Sequence, residues 1–226
     1  MKLYWMSVQD NPLHNWLIFD DVDVLSLRMR YRDLACDNCG KVDEYVAIER
    51  GFDPDVEVRS EANILRSDDG YICADDRFRA FLVKYGVRGA RFVSLPRGKH
   101  YLMVPDIRLQ VKRRIVSQRE EREIDLEAIA KDINKLNTAY RTTHIDVDAC
   151  GIELRDQCRA CGRYDTSLYW PRRDSLEIPD GDLWIACPRV PMEHRHAQAT
   201  WLITTEKVMD LLTRSRLKGF EWYESR

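Results

Sequence analysis

Apolar and polar positions alternate with a helical period twice in this chain, in the same setting. The apolar run Tyr71, Ile72, Cys73, Ala74 predicts a short buried strand. Asp75 follows, a residue type that caps helices by accepting a backbone N–H. Phe78, Phe81 and Leu82 then fall at i, i+3 and i+4, the spacing of a helix with one apolar face. Gly89 precedes a second short strand through Phe92. The same order returns at Trp201 to Thr204, then Thr205, then Val208, Leu211 and Leu212, then Gly219 and Trp222. One gap-free shift of 201 − 71 = 130 residues carries the first series onto the second. The expected unit is strand, cap, helix, turn, strand, with Phe78, Phe81 and Leu82, and likewise Val208, Leu211 and Leu212, facing the core.

Other segments are read singly. Trp16 to Phe19 predicts a short strand that ends at the acidic loop Asp20, Asp21, Asp23. Tyr101 to Val104 predicts a strand cut by Pro105. Ile107, Leu109 and Val111 alternate with polar residues, as in a half-exposed strand. Arg119 to Glu123 is a charge run, read as a solvated turn or helix start. Leu126, Ile129, Ile133 and Leu136 predict a helix over 125–140 that joins two halves. The expected fold class is α+β: two related β-rich halves, each with a strand-helix-strand unit. Residues 1–105 form the first half, 106–140 a connecting strand and helix, and 141–226 the second half, packed as one body.

Each half carries a short cysteine hook closed by glycine. The hooks are Cys36-Asp37-Asn38-Cys39-Gly40 and Cys158-Arg159-Ala160-Cys161-Gly162. A Cys-x-x-Cys turn lets two thiolates reach one tetrahedral ion, and two such turns complete its shell. Cys36, Cys39, Cys158 and Cys161 are therefore expected to hold one structural zinc ion between the halves. The hooks stand 158 − 36 = 122 residues apart, so only the tertiary fold can bring them together. Unmetallated thiols and a redox pair are the competing readings; the redox pair calls for a hook that opens a helix, and neither hook has an obvious helix after it. Hooks and helices together favour internal duplication over two unrelated units. The second copy then holds 130 − 122 = 8 extra residues, around Pro188 to His196.

Composition narrows the function classes. The chain has 226 residues, 44% hydrophobic and 33% charged, with a net charge of −2. So balanced a charge gives no overall field that would draw it to nucleic acid or an anionic membrane. The start has no apolar leader core, and no run approaches the roughly 20 apolar residues that cross a bilayer. Seven cysteines, an odd number, fit a reduced cytoplasmic protein better than a disulfide scaffold. The six tryptophans are read first as core residues, and second as interface anchors.

No phosphate-binding loop, dinucleotide fingerprint or nucleophile elbow is present. His194 and His196 with Glu193, and His144 near Asp146 and Asp148, are the acid/base or metal candidates, each read first as an ordinary loop or strand-edge residue. Cys73 and Cys187 lie in apolar contexts and are read as buried thiols; Cys150 has no partner at ligand spacing. The expectation is a non-enzyme without a small-molecule substrate. Basic patches such as Lys112 to Arg114 and Arg172-Arg173 are short, so a nucleic-acid footprint is weak. Acidic groups at Asp20 to Asp23, at Asp53, Asp55 and Glu57, and at Asp68-Asp69 would suit docking onto a basic partner.

Two Cys-x-x-Cys-Gly hooks, each followed some fifty or sixty residues on by Gly and an aromatic, resemble the double-CxxCG family of myxobacterial immunity proteins. Gly89 and Phe92 follow Cys39 by 89 − 39 = 50 and 92 − 39 = 53 residues; Gly219 and Trp222 follow Cys161 by 219 − 161 = 58 and 222 − 161 = 61. The resemblance implies a cytoplasmic protein that neutralises a cognate toxin by stoichiometric occlusion, without catalysis. It carries no toxin-contacting residues over. The alternative from another class is a zinc-containing nucleic-acid-binding or regulatory protein.

Overall fold

The computed structural model describes residues 1–9, 29–38, 44–67, 71–110, 142–143, 152–157, 159–161, 164–169, 173–189 and 201–225. In chain order the strands and helices are β1 (Leu3–Val8), α1 (Glu44–Arg50), β2 (Glu57–Val58), β3 (Ile64–Arg66), β4 (Ile72–Asp75), α2 (Asp76–Lys84), β5 (Ala90–Ser94), β6 (Arg97–Gly98), β7 (His100–Pro105), β8 (Arg108–Gln110), β9 (Thr142–Thr143), β10 (Ile152–Gln157), β11 (Tyr164–Tyr169), β12 (Ile185–Arg189), β13 (Trp201–Thr205), α3 (Glu206–Arg214) and β14 (Phe220–Glu224). The class is mixed α+β.

Under the shift of 130 the helices and second strands of the two segments have the same bounds, and the first strands end together although β13 begins one residue earlier. Helix α2 begins at residue 76 and α3 at 206; β5 begins at 90 and β14 at 220. The Asp75 carboxylate accepts from the Phe78 N–H, and the Thr205 hydroxyl accepts from the Val208 N–H. Each cap satisfies a helix N–H that would otherwise lack a partner. Phe78 and Leu82 are buried, as are Val208 and Leu212, while Phe81 and Leu211 are half-buried.

Strand neighbours repeat as well. One sheet runs β3-β4-β7-β5; in the other, β12-β13-β1-β14 takes the same order, with β8 added beside β12. Ile64 pairs with Ala74 as Ile185 pairs with Thr204. Leu102 pairs with Cys73 as Trp5 pairs with Ile203, and Met103 pairs with Phe92 as Met6 pairs with Trp222. The N-terminal strand β1 thus sits between β13 and β14, more than 190 residues away in sequence (201 − 8 = 193).

Both sheets contribute to one interior. Met6, Ile64, Ile72, Phe78, Leu82 and Met103 form a buried cluster with Ile185, Leu202, Val208 and Leu212, and Phe92 and Trp222 pack against its margin. Burying each such side chain stabilises by about 1.5–3 kcal/mol. Among the cross-connections between the sheets, two are equivalent. The Ile64 N–H donates to the Lys218 carbonyl at 3.3 Å, and the Ile185 N–H donates to the Arg88 carbonyl at 2.9 Å. Gly219 and Gly89 follow those carbonyl residues with φ of +110° and +98°. A Cβ at Gly219 would stand 1.8 Å from the Ile64 oxygen, and one at Gly89 would stand 1.9 Å from the Ile185 oxygen. Only glycine permits both the backbone angle and the approach.

A second cluster covers the far face of the β3-β4-β7-β5 sheet. Tyr31, Ala47, Val56 and Val58 pack there on Leu65, Cys73, Leu102 and Val104. Cys73 and Cys187 are both buried, as expected from their surroundings.

Some elements differ from the sequence reading. The first hook does have a helix after it, α1, so Tyr45 to Ile48 is helical. Strand β7 continues through Pro105, which pairs opposite Ala90 at the strand's last position, where a proline is tolerated. The alternation at Ile107 to Val111 gives the short β8, in which Leu109 is buried and Ile107 is half-buried before it. The expected strand at 16–19 and helix at 125–140 lie outside the described residues. The expected extra residues fall between β12 and β13: Ile185 follows Ile64 by 185 − 64 = 121, whereas Trp201 follows Tyr71 by 130.

Candidate functional site

The first hook grows from a tied-down neck. A 3₁₀ turn at Met29–Leu34 leads into it, and α1 leads out. Tyr31 is fully buried, and its hydroxyl donates to the Gly51 carbonyl at 2.9 Å. Arg30 pairs with Asp53 at 3.0 Å, and the Arg50 guanidinium bridges both oxygens of Asp33 at 2.5 and 2.7 Å. Leu34 and Ala35 pack against the far-face cluster. Cys36 is therefore the first residue beyond a fixed anchor, and it is half-buried. The Arg50 hydrogen bonds hold the Asp33 carboxyl below its ordinary range.

The second hook is the loop of a hairpin. Strands β10 and β11 pair antiparallel from Ile152↔Tyr169 to Gln157↔Tyr164, and the loop 158–163 between them contains the hook. Cys161 lies in the turn 159–161 and is half-buried. Cys39 and Cys158 fall outside the described residues. Among the described residues, no group of three or more His, Cys, Asp or Glu side chains gathers as a metal site. The donor set suits zinc in kind: four soft thiols, of which Cys36 and Cys161 are half-buried, the first beside a neck tied by Arg50 and Asp33 and the second between the paired strands β10 and β11. Such necks lower the ordering cost of binding an ion.

The other candidates sort as follows. His144, Cys150, His194 and His196 lie outside the described residues. His100, which sequence reasoning did not single out, is buried on β7 with its Nε2 3.3 Å from the Ala62 carbonyl. Its place opposite Asp75 across the β4-β7 ladder could not be read from sequence. An open groove of about 530 Å³ runs past Lys2, Arg173, Asp174, Leu176 and Glu224; no histidine or cysteine lines it. Lys2 pairs with Glu224 at 3.6 Å there, and that attraction raises the lysine pKa.

Two of the three acids at residues 53–57 are paired with arginines. Asp53 is held by Arg30, and Glu57 by Arg59 at 2.8 Å, a contact that lowers the Glu57 pKa. Asp20 to Asp23 and Asp68-Asp69 lie outside the described residues. The described tryptophans with known burial are core: Trp5 and Trp184 are buried, and Trp222 packs against the shared cluster.

No family model, no curated protein and no solved structure matches this chain. Among the described residues, no helix is long and apolar enough to cross a membrane.

Proposed function

We propose that this chain is a cytoplasmic immunity protein that binds and neutralises a cognate toxin by stoichiometric occlusion. The reading rests on the double hook: each Cys-x-x-Cys-Gly loop precedes a strand-helix-strand unit that ends in glycine and an aromatic strand. The twofold recurrence of caps, buried helix positions and strand neighbours supports an origin by internal duplication. On this reading the first repeat opens with β1 and the second with β7, related by 102 − 5 = 97. Each opening strand then completes the sheet of the other repeat. The repeats exchange strands and cannot part without breaking both sheets. Zinc held by Cys36, Cys39, Cys158 and Cys161 would add a structural clamp and supply no reaction chemistry.

Co-expression tests the function. The gene beside this one is expected to encode a large protein with a toxic C-terminal domain. The chain should rescue growth of cells making that domain and should co-purify with it at 1:1 stoichiometry. Neither rescue nor co-purification, with retardation of nucleic acid at physiological salt instead, would favour the zinc-containing nucleic-acid-binding alternative.

A further inference from the structure

Helices α2 and α3 hold equivalent places on the shared core, so their outward faces can be compared position by position. On α3 the outward face is polar and its charges are matched. Lys207 pairs with Asp182 at 3.0 Å, Arg214 reaches Asp210 at 3.9 Å, and the Thr213 hydroxyl donates to the Met209 carbonyl at 2.8 Å. The α2 positions 130 residues earlier are Arg77, Ala80, Val83 and Lys84 in place of Lys207, Asp210, Thr213 and Arg214. All four are exposed, and Val83 is 74% exposed. Neither Arg77 nor Lys84 has a carboxylate partner among the described residues; Lys84 Nζ instead lies 5.3 Å over the ring of Tyr85. Tyr85, itself partly exposed, packs on Phe81 at 4.6 Å and extends the apolar strip of Ala80 and Val83. From Arg77 to Lys99 the chain has seven Arg or Lys residues and no Asp or Glu. α2 has a matched pair of its own, Arg79 with Asp76 at 3.8 Å, but Val83 and Tyr85 make an exposed apolar spot beside Arg77 and Lys84 where α3 carries Thr213 and paired charges.

We propose that the outward face of α2 is a docking surface for a protein whose contact is an apolar spot rimmed by carboxylates. Val83 and Tyr85 supply the centre, where desolvation contributes most, and Arg77 and Lys84 supply the rim that steers and orients. The apolar centre favours a protein over nucleic acid, whose phosphates would use the cations and leave Val83 in water. The inference deepens the binding reading above by naming the partner's chemistry. It rests on that reading only in requiring that a protein partner exists.

Photo-crosslinking in the cells that make the chain tests it. Benzoylphenylalanine replaces Val83 in one full-length protein and, as control, Thr213 in another. The expected result is one protein adduct from position 83, identified by mass spectrometry, with Asp or Glu around the linked residue. Position 213 should give only background. Arg77→Glu with Lys84→Glu should lower the adduct at least about tenfold, while the melting curve stays unchanged. No adduct at position 83, equal adducts at both positions, an adduct undiminished by charge reversal, or linkage to nucleic acid or to a second copy would each overturn the proposal. A partner that is acidic but no toxin would sink the immunity reading and leave the docking surface standing. A toxin that links only elsewhere would do the reverse.

Discussion

Replacing Gly219 with alanine tests whether the two sheets are clasped as described. The new methyl would meet the Ile64 carbonyl oxygen at 1.8 Å, and φ is +110°. A positive φ alone costs an alanine about 1–2 kcal/mol. Relieving the overlap must move one sheet against the other, at about 1–3 kcal/mol. The same movement strains the hydrogen bond from the Ile64 N–H to the Lys218 carbonyl, worth about 1 kcal/mol. The expected loss is about 3–5 kcal/mol, a large share of the roughly 5–15 kcal/mol that holds a folded protein. Gly89→Ala should cost a similar amount, because its methyl meets the Ile185 oxygen at 1.9 Å.

Gly86→Ala is the control. Its φ is +64°, and a Cβ there meets nothing within 4 Å. It should lose only the backbone term, about 1–2 kcal/mol. Urea unfolding followed by the fluorescence of buried Trp5 and Trp184 reads all three variants. With an m-value of about 3 kcal/mol/M, Gly219→Ala and Gly89→Ala should lower the midpoint by about 1–2 M, and Gly86→Ala by about 0.3–0.7 M. If all three variants unfold at one midpoint, the close approach carries no energy and the clasp is wrong.

Cutting the chain with an engineered protease site between Ser94 and His100 should leave two fragments that stay associated through gel filtration without denaturant, because β1 and β7 lie in each other's sheets. Thr205→Ala should destabilise by about 1 kcal/mol through loss of the α3 cap; Asp75→Ala should cost more, since Asp75 also accepts from the Asn63 amide at 2.8 Å. Zinc analysis of protein purified without chelator should give one ion per chain, and Cys161→Ser should lose it and lower the melting temperature. The Asp33 carboxyl, held below its ordinary range, binds its proton less readily folded than unfolded. Its contribution is present above the ordinary carboxylate pKa and is lost as pH falls through the depressed value, so Arg50→Met should weaken the acid dependence below about pH 4 and return Asp33 to its ordinary range in a carboxyl NMR titration.

The legible part of the fold was the part written in local physics. A cap, a one-faced stripe and a glycine before an aromatic strand each act within a dozen residues, and each is found where the sequence puts it. The α1 helix was missed because its apolar residues, Tyr45 to Ile48, form one short continuous run rather than a one-faced stripe, and Ala47 and Ile48 join the cluster around Tyr31. The alternation around Leu109 was legible, and Leu109 is buried on β8; the parallel pairing of β8 with β12 was not, because no local signal names a strand's neighbour. Of the candidate site, the hooks were plain from spacing, but the neck of the first depends on Tyr31 meeting Gly51 and Arg50 meeting Asp33, and that of the second on β10 pairing with β11, contacts that no motif announces.

The route of β1 was illegible for a deeper reason. Three offsets relate the equivalent positions of this chain: 97 for the strands β1 and β7, 121 for β3 and β12, and 130 for the strand-helix-strand units. A comparison at one fixed shift finds the last and misses the first. Strand pairing is set by which backbone edge is open and which face is apolar, and Trp5 and Leu102 satisfy the same position with unlike side chains. On the duplication reading β1 is an exchanged strand, and such a strand leaves no mark in its own sequence. It shows only when Met6 and Met103 are found in the same register against Trp222 and Phe92. That register also explains why the outward faces of α2 and α3 are free to differ. The shared core constrains only their inner positions, Phe78 and Leu82 against Val208 and Leu212. Any divergence between the outward faces must answer to what lies outside the fold. On the duplication reading, Arg77, Val83 and Lys84 of α2 are where the two copies differ most in their outward faces, and so the place where a partner should first be sought.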